Sequence, residues 1–225
     1  MRSLGLALAL TAGLSAQVAT NANSGYKTEE QRKNVAQTLA NPERDAVQKP
    51  GKLVREMGVK PGMTVADIGT GIGYMLPALS HAVGADGKVI AEDIFDDFLE
   101  GAKQRVQESK LENVTFVKGT DTDPSLPAGQ VDLAMALDVY HHFDYPDKML
   151  AAIAKSLKPG GRLVIVEYYK RPEAMPNGRA MTHIRLDMPD VIKEVEANGF
   201  HLVAEKETIL NVQYMLVLEK KSESK

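Results

Sequence analysis

The sequence predicts an α/β fold, a doubly wound and mostly parallel sheet that ends in an antiparallel hairpin. Three observations predict it. From Met63 onward, short apolar runs alternate with helix-favouring stretches, the pattern of βαβ units. The first run leads directly into a glycine-rich turn, Gly69-Thr-Gly-Ile-Gly73, and then into a helix. The last two runs are separated only by Thr208 to Val212, too little chain for a parallel crossover, which takes about a dozen residues or more.

The elements follow in order. Met1-Arg2-Ser3 carries one positive charge, Leu4 to Leu14 is apolar apart from Thr11 and two glycines, and Ser15 to Ser24 is small and polar. That is the layout of a secretory signal, and it falls short of the ~20 apolar residues that span a bilayer. Residues 1–23 are therefore expected to be a signal peptide, cleaved after Ser15 or after Ala22, and the product to be periplasmic or extracellular. The plain alternative is a retained N-terminal helix on a cytoplasmic protein.

Residues 24–60 read as a helical segment. Thr28 to Ala40 is polar and helix-favouring, with Val35 and Leu39 on one face. Asn41-Pro42 and Pro50-Gly51 break the chain, and Lys52 to Met57 forms a short helix ended by Gly58. Residues 61–220 make the main domain. Strands are expected at Met63–Ile68, Lys88–Ile94, Asn113–Lys118, Val131–Leu137, Arg162–Tyr168, Leu202–Glu207 and Gln213–Leu218. Helices are expected at Tyr74–Val83, Phe98–Ser109, Lys148–Leu157 and Pro189–Asn198, with Gly199 placed to cap the last. Lys158-Pro-Gly-Gly161 stops the third helix. Lys170 to Asp187 is a long irregular connection, either a loop over an acceptor site or a solvated excursion. Residues 221–225 are a polar tail.

Composition narrows the functions. Apolar residues make up 44% and charged residues 25% of 225, an ordinary globular balance. A formal charge of −3 with scattered Lys and Arg leaves no basic face for nucleic acid. The absence of cysteine excludes disulfides, thiolate-bound metals and a cysteine nucleophile. After the N-terminal stretch no segment is long and apolar enough to cross a membrane, so no membrane partner is expected once the signal is cleaved.

The chemistry begins at Val65 to Tyr74. Open α/β sheets bind ligands at such a strand-to-helix turn, and glycines let backbone approach a ligand closely. Gly69, Gly71 and Gly73 are evenly spaced, whereas a dinucleotide fingerprint would put its third glycine where Leu76 stands. Asp67 at the strand end would repel a phosphate and suits an ammonium or sulfonium charge. Asp93 lies about 20 residues after the loop, where an acid binds ribose hydroxyls. Its neighbour Glu92 should face the other side of the strand.

These residues resemble the class I S-adenosylmethionine-dependent methyltransferases, and the likeness runs from about Gln48 to Lys220. Val65 to Tyr74 is similar to that family's first motif and Gly87 to Ile94 to its second, with Asp93 at the ribose position. Asn113 to Leu126 is similar to the third, but Gly119-Thr-Asp-Thr-Asp123 stands where the family commonly has Gly-Asp. The adenine role goes to Asp121, with Thr120 or Asp123 as alternatives. Val131 to Phe143 is similar to the fourth motif, and Leu157 to Val164 to the turn before strand five. The resemblance implies a seven-stranded sheet, six strands parallel and one reversed, with S-adenosylmethionine as cofactor across the ends of strands one to four. Cofactor contacts fall to Asp67, Gly69, Thr70, Gly71, Gly73, Tyr74, Asp93, Thr120, Asp121 and Asp138.

The loop after strand four, with Asp138, Tyr140, His141 and His142, is expected to face the methyl group. Histidine titrates near neutral pH, which makes His141 or His142 the candidate general base. His141, His142, Asp138, His183 and Asp187 have the chemistry of metal ligands, but adjacent histidines rarely reach one ion together, so no metal is expected. The reading is a methyltransferase acting on a small molecule. Its rivals are a non-catalytic exported protein that binds the same nucleoside, and a dinucleotide-dependent oxidoreductase.

Overall fold

The computed structural model describes residues 17–208 and 211–221. Most of the signal-peptide segment, residues 1–16, and all but the first residue of the polar tail lie outside the described residues.

The N-terminal part is helical. After a 3-10 turn at Ala22–Tyr26 comes α1 (Glu29–Leu39), where the Thr28 hydroxyl accepts from the Gln31 amide and the Gln31 side chain accepts from the Thr28 amide. This reciprocal cap satisfies two donors that the first helical turn otherwise leaves bare. A short α2 (Arg44–Gln48), which the sequence pattern did not mark, and α3 (Pro50–Met57) follow. Pro50 does not break the chain as expected. It takes the first position of α3, where a missing N–H removes no helical bond.

The main domain runs β1 (Thr64–Ile68), α4 (Leu76–Val83), β2 (Lys88–Asp93), α5 (Asp96–Glu108), β3 (Val114–Lys118), β4 (Val131–Leu137), α6 (Pro146–Ser156), β5 (Leu157–Tyr168), α7 (Ala180–His183), α8 (Met188–Ala197), β6 (Phe200–Glu207) and β7 (Gln213–Lys220). The strands form one seven-stranded sheet in the order β3-β2-β1-β4-β5-β7-β6. The pairs from β3 across to β5 are parallel, and β7 runs antiparallel to both β5 and β6. Six strands thus point one way and β7 is reversed. The most displaced boundary is at β5, which already pairs with β4 at Leu157 and carries the Pro-Gly-Gly turn as a register irregularity before Arg162.

Side chains along the central strands alternate between two cores. Val65, Leu133, Met135, Val164 and Val166 pack with α3, α4 and α5 on one face. Ala66, Ala134, Ala136, Leu163 and Ile165 pack with α6 and α8 on the other. A sheet so covered on both faces exposes only strand ends, and the chain's direction of build reverses between β1 and β4. That switch point is where open α/β sheets place their ligands.

Candidate functional site

A cavity of about 450 Å³ opens at the carboxyl ends of β1, β2 and β4, a volume in the range of small-molecule sites. Its floor is the glycine turn after β1. Gly69, Gly71 and Gly73 have φ of +65°, +56° and +77°, a left-handed backbone that costs an L side chain about 1–2 kcal/mol. Two acids ending β2 hold this turn in place. The Gly69 amide donates to Glu92 Oε2 at 3.2 Å and the Gly71 amide to Asp93 Oδ2 at 2.9 Å. Asp93 Oδ1 also accepts from the Phe95 amide at 3.0 Å, and the Thr70 hydroxyl donates to Asp67 Oδ2 at 2.7 Å.

These carboxyls lie in little water, and their acidity shows it. Burial raises Asp67 to about 7 against the pull of the Thr70 hydroxyl. Burial raises Asp93 to about 6, held back by the Phe95 and Gly71 amides. Glu92 is pushed well above the usual carboxylate range by burial and then by the charge of Asp93. Asp138, just past β4 at φ +54°, is raised by burial and by Glu167. Gln213 Nε2 donates to it at 2.5 Å and Gln48 Nε2 at 3.5 Å, while Arg44 stands 3.7 Å away. Four carboxyls crowded into a dry chamber resist ionising together, and a ligand carrying positive charge would relieve them.

The chamber's other wall comes from the N-terminal segment. Ala19 and Ala22 are buried on the domain. The Val18 amide donates to the Asp144 carbonyl at 3.2 Å, and Asn23 Nδ2 to the His142 carbonyl and to Asp144 Oδ2, each at 3.1 Å. Tyr26 packs among Phe95, Phe98 and His142, with ring centroids 4.8 Å apart from the last. Arg44 lies over the ring of Tyr74 at 4.0 Å, and the Tyr74 hydroxyl donates to Asp45 Oδ1 at 2.8 Å. Thr120 and Asp121 complete the lining after β3.

The model of the methyltransferase domain family matches residues 66–165. An S-adenosylmethionine-dependent methyltransferase from Aquifex aeolicus has the same fold, with a TM-score of 0.76 and 28% identity over 82% of this chain and 96% of that one. The chain has the class I methyltransferase fold. Its cofactor is S-adenosylmethionine. The ubiquinone/menaquinone biosynthesis C-methyltransferase UbiE of Shewanella piezotolerans is 29% identical over 118 residues, 52% of this chain and 47% of its own length. UbiE of Shewanella oneidensis is 29% identical over 114 residues, 50% of this chain and 45% of its own. The chain thus spans about half the length of the curated relatives it matches. The [4+2]-cyclase SpnF shares the fold alone, at a TM-score of 0.67 and 18% identity over 81% of this chain and 84% of that one.

The chamber of the methyltransferase domain gathers Asp67, Gly69, Thr70, Gly71, Tyr74, Asp93, Thr120, Asp121 and Asp138. Gly73 stands one step back, its amide donating to the Thr70 carbonyl at 3.0 Å and closing the turn. Glu92 lines the chamber beside Asp93 rather than turning away, because its carboxyl reaches past the strand end to the Gly69 amide. The loop after β4 divides its side chains. His142 lines the chamber, with Nδ1 2.7 Å from Asn23 Oδ1. Tyr140 turns to α8 and donates to Glu194 Oε1 at 2.6 Å. His141 is buried beside Glu167, whose Oε2 lies 2.6 Å from Nδ1 and also accepts the His141 amide at 3.2 Å. His183 comes from α7 to meet these two histidines, whereas Asp187 caps α8 by accepting from the Met188 amide at 2.8 Å. Arg44, Asn23, Tyr26 and Gln213 carried no motif, and their place at the site follows from tertiary packing; Gln48 opened the family likeness but was given no site role. Among the described residues no helix is long and apolar enough to cross a membrane.

Proposed function

We propose that this chain transfers the methyl group of S-adenosylmethionine to a small, largely apolar molecule. The observation that carries the reading is the dry, acid-lined chamber at the switch point of the sheet, with raised carboxyls at Asp67 and Asp93. A sulfonium and an ammonium group are the charges such a chamber favours. In this reading Asp67 and the glycine turn hold the methionyl part, Asp93 the ribose hydroxyls, and Asp121 with Thr120 the adenine. Methyl transfer is an in-line displacement on an already activated carbon, so positioning is the main demand on the protein. Tyr26, Phe95, Phe98, Phe143 and Met149 line the rest of the chamber, which suits a flat or apolar acceptor. The names of the UbiE relatives point the same way.

His142, on the wall, is the better-placed candidate base of the two adjacent histidines. Burial and then the neighbouring His141 hold its pKa well below the ordinary value, so it stands neutral with a free lone pair at neutral pH but is a weak base. Export also belongs to this proposal. Cleavage after Ser15 would keep the buried Ala19 and Ala22, whereas cleavage after Ala22 would remove them together with Gln17 and Thr20 of the chamber lining. The mature N-terminus, read by mass spectrometry, distinguishes the two.

Calorimetric titration with S-adenosylmethionine and separately with NAD, followed by incubation with quinones, phenols and amines and mass spectrometry of the products, tests the function. Binding of the first ligand alone, with an acceptor gaining one methyl group, is the expected result. Binding without transfer to any acceptor would favour the non-catalytic reading. No binding of S-adenosylmethionine would overturn the proposal.

A further inference from the structure

Beside the carboxyl-lined part of the chamber, three imidazoles from two distant stretches of chain meet. His141 and His142 stand on the 3-10 turn after β4, and His183 ends α7. One nitrogen from each lies within 4.8 Å of the other two, and His141 Nε2 is 3.2 Å from His183 Nε2. Zinc bound to imidazole at ~2.0–2.1 Å in tetrahedral geometry places its nitrogens about 3.3 Å apart. The closest pair therefore already has the edge length of such a site, and the third nitrogen lies within 4.8 Å of both.

The outer nitrogens are held for the same purpose. Glu167 Oε2 sits 2.6 Å from His141 Nδ1, and Asn23 Oδ1 sits 2.7 Å from His142 Nδ1. Each oxygen takes a proton from Nδ1, which leaves the Nε2 lone pair for a ligand. A carboxylate behind a histidine is the usual outer partner of a metal-bound imidazole, and the buried Glu167 supplies a compensating negative charge. Arg179 Nη2 points at His183 Nε2 from 3.4 Å and so asks for a lone pair there too. Two imidazole lone pairs 3.2 Å apart repel unless a proton or a cation lies between them. Arg179 is exposed and free to swing aside.

We propose that His141, His142 and His183 bind one divalent transition-metal ion, zinc by the donor set. Three imidazoles leave a tetrahedral ion one position for an outside ligand. With His142 on the chamber wall, that ligand is an acceptor's hydroxyl or thiol. This last use rests on the methyl-transfer reading and would replace His142 as the base, since a metal-bound Nε2 has no lone pair for a proton; the ion itself does not rest on that reading.

The test takes the full chain, purified without a polyhistidine tag and stripped with a chelator. Zinc is titrated in competition with a chromophoric chelator, and cobalt by its visible absorption. One ion per chain and the intense bands of tetrahedral cobalt are expected. His183→Ala, His183→Gln and His141→Ala should each weaken zinc by at least about a hundredfold, and Glu167→Gln by about 10–100-fold. His81→Ala and His201→Ala should leave affinity unchanged. Circular dichroism and S-adenosylmethionine titration of the same variants report folding and the cofactor site separately. No bound ion, or equal affinity in a folded His183 variant, would overturn the proposal and leave a shared proton between His141 and His183.

Discussion

Gly69→Ala tests how the glycine turn and the loop after β4 are locked together. Gly69 sits at φ +65°, and a Cβ built there falls 2.3 Å from Val139 Cγ2 and 3.1 Å from Val139 Cβ. Carbon atoms pack at about 3.5–4.0 Å, so the methyl group overlaps its neighbour by more than an ångström. Val139 is branched at Cβ and has few rotamers to offer as an escape. The backbone conformation costs alanine about 1–2 kcal/mol, and forcing a methyl group into packed space costs about 1–3 kcal/mol. Gly69→Ala is therefore expected to destabilise the chain by about 2–5 kcal/mol, read from urea unfolding. Val139→Ala removes both γ-methyls and leaves only the Cβ contact at 3.1 Å, so the double variant should recover most of the steric part and retain the backbone part. The cycle should then show a coupling of about 1–3 kcal/mol. Because Gly69 and Val139 both line the chamber, calorimetry should also show weaker S-adenosylmethionine binding in Gly69→Ala, partly restored in the double variant. Additivity within about 0.5 kcal/mol, or a Gly69→Ala protein as stable as the parent, would refute the reasoning.

Four further outcomes follow from the same chamber. Asp67 has a folded pKa of about 7 against 3.8 unfolded, so between these values the native state binds more protons than the unfolded one. Its contribution is full below 3.8 and is lost as pH rises through 7, at a slope of about 1.4 kcal/mol per pH unit. Urea titrations at several pH values should find that Asp67→Asn flattens this fall, and an unchanged slope would refute the assignment. S-adenosylmethionine, if its positive groups meet these acids, should bind more tightly as pH rises through 6 to 7, with proton release seen as a dependence of calorimetric heat on the buffer; pH-independent binding would refute it. Asp93→Ala deprives the Gly71 and Phe95 amides of their acceptor; it should cost about 1–3 kcal/mol of stability and weaken S-adenosylmethionine at least about tenfold. Asn23→Ala frees the His142 ring and loosens the N-terminal wall, which should raise the dissociation constant several-fold with little change in unfolding midpoint.

What the sequence made legible was what is local along the chain. Alternating apolar runs and the short final connection located the sheet and its reversed strand, because a strand's burial pattern is written in its own residues. The glycine turn and Asp93 were legible for the same reason, since each lies at a strand end whose position the pattern fixes. Boundaries shifted where backbone chemistry has two readings: Pro50 opens a helix as readily as it breaks one, and the turn before Arg162 sits as an irregularity inside β5.

The wall of the chamber and the histidine cluster belong to a different class of fact. Asn23 meets His142, Gln213 meets Asp138 and Glu167 meets His141 across long stretches of chain, and no spacing rule links such pairs. The expectation that adjacent histidines rarely reach one ion together assumed that consecutive side chains diverge. Here Asp138 in the left-handed region and the 3-10 turn that follows bring the rings of His141 and His142 to 4.1 Å. The same loop thereby gives one histidine to the chamber wall and the other to a buried carboxylate. Changes at Asp138 should consequently disturb the acidic chamber and the imidazole cluster together, although only the first of them contains its side chain.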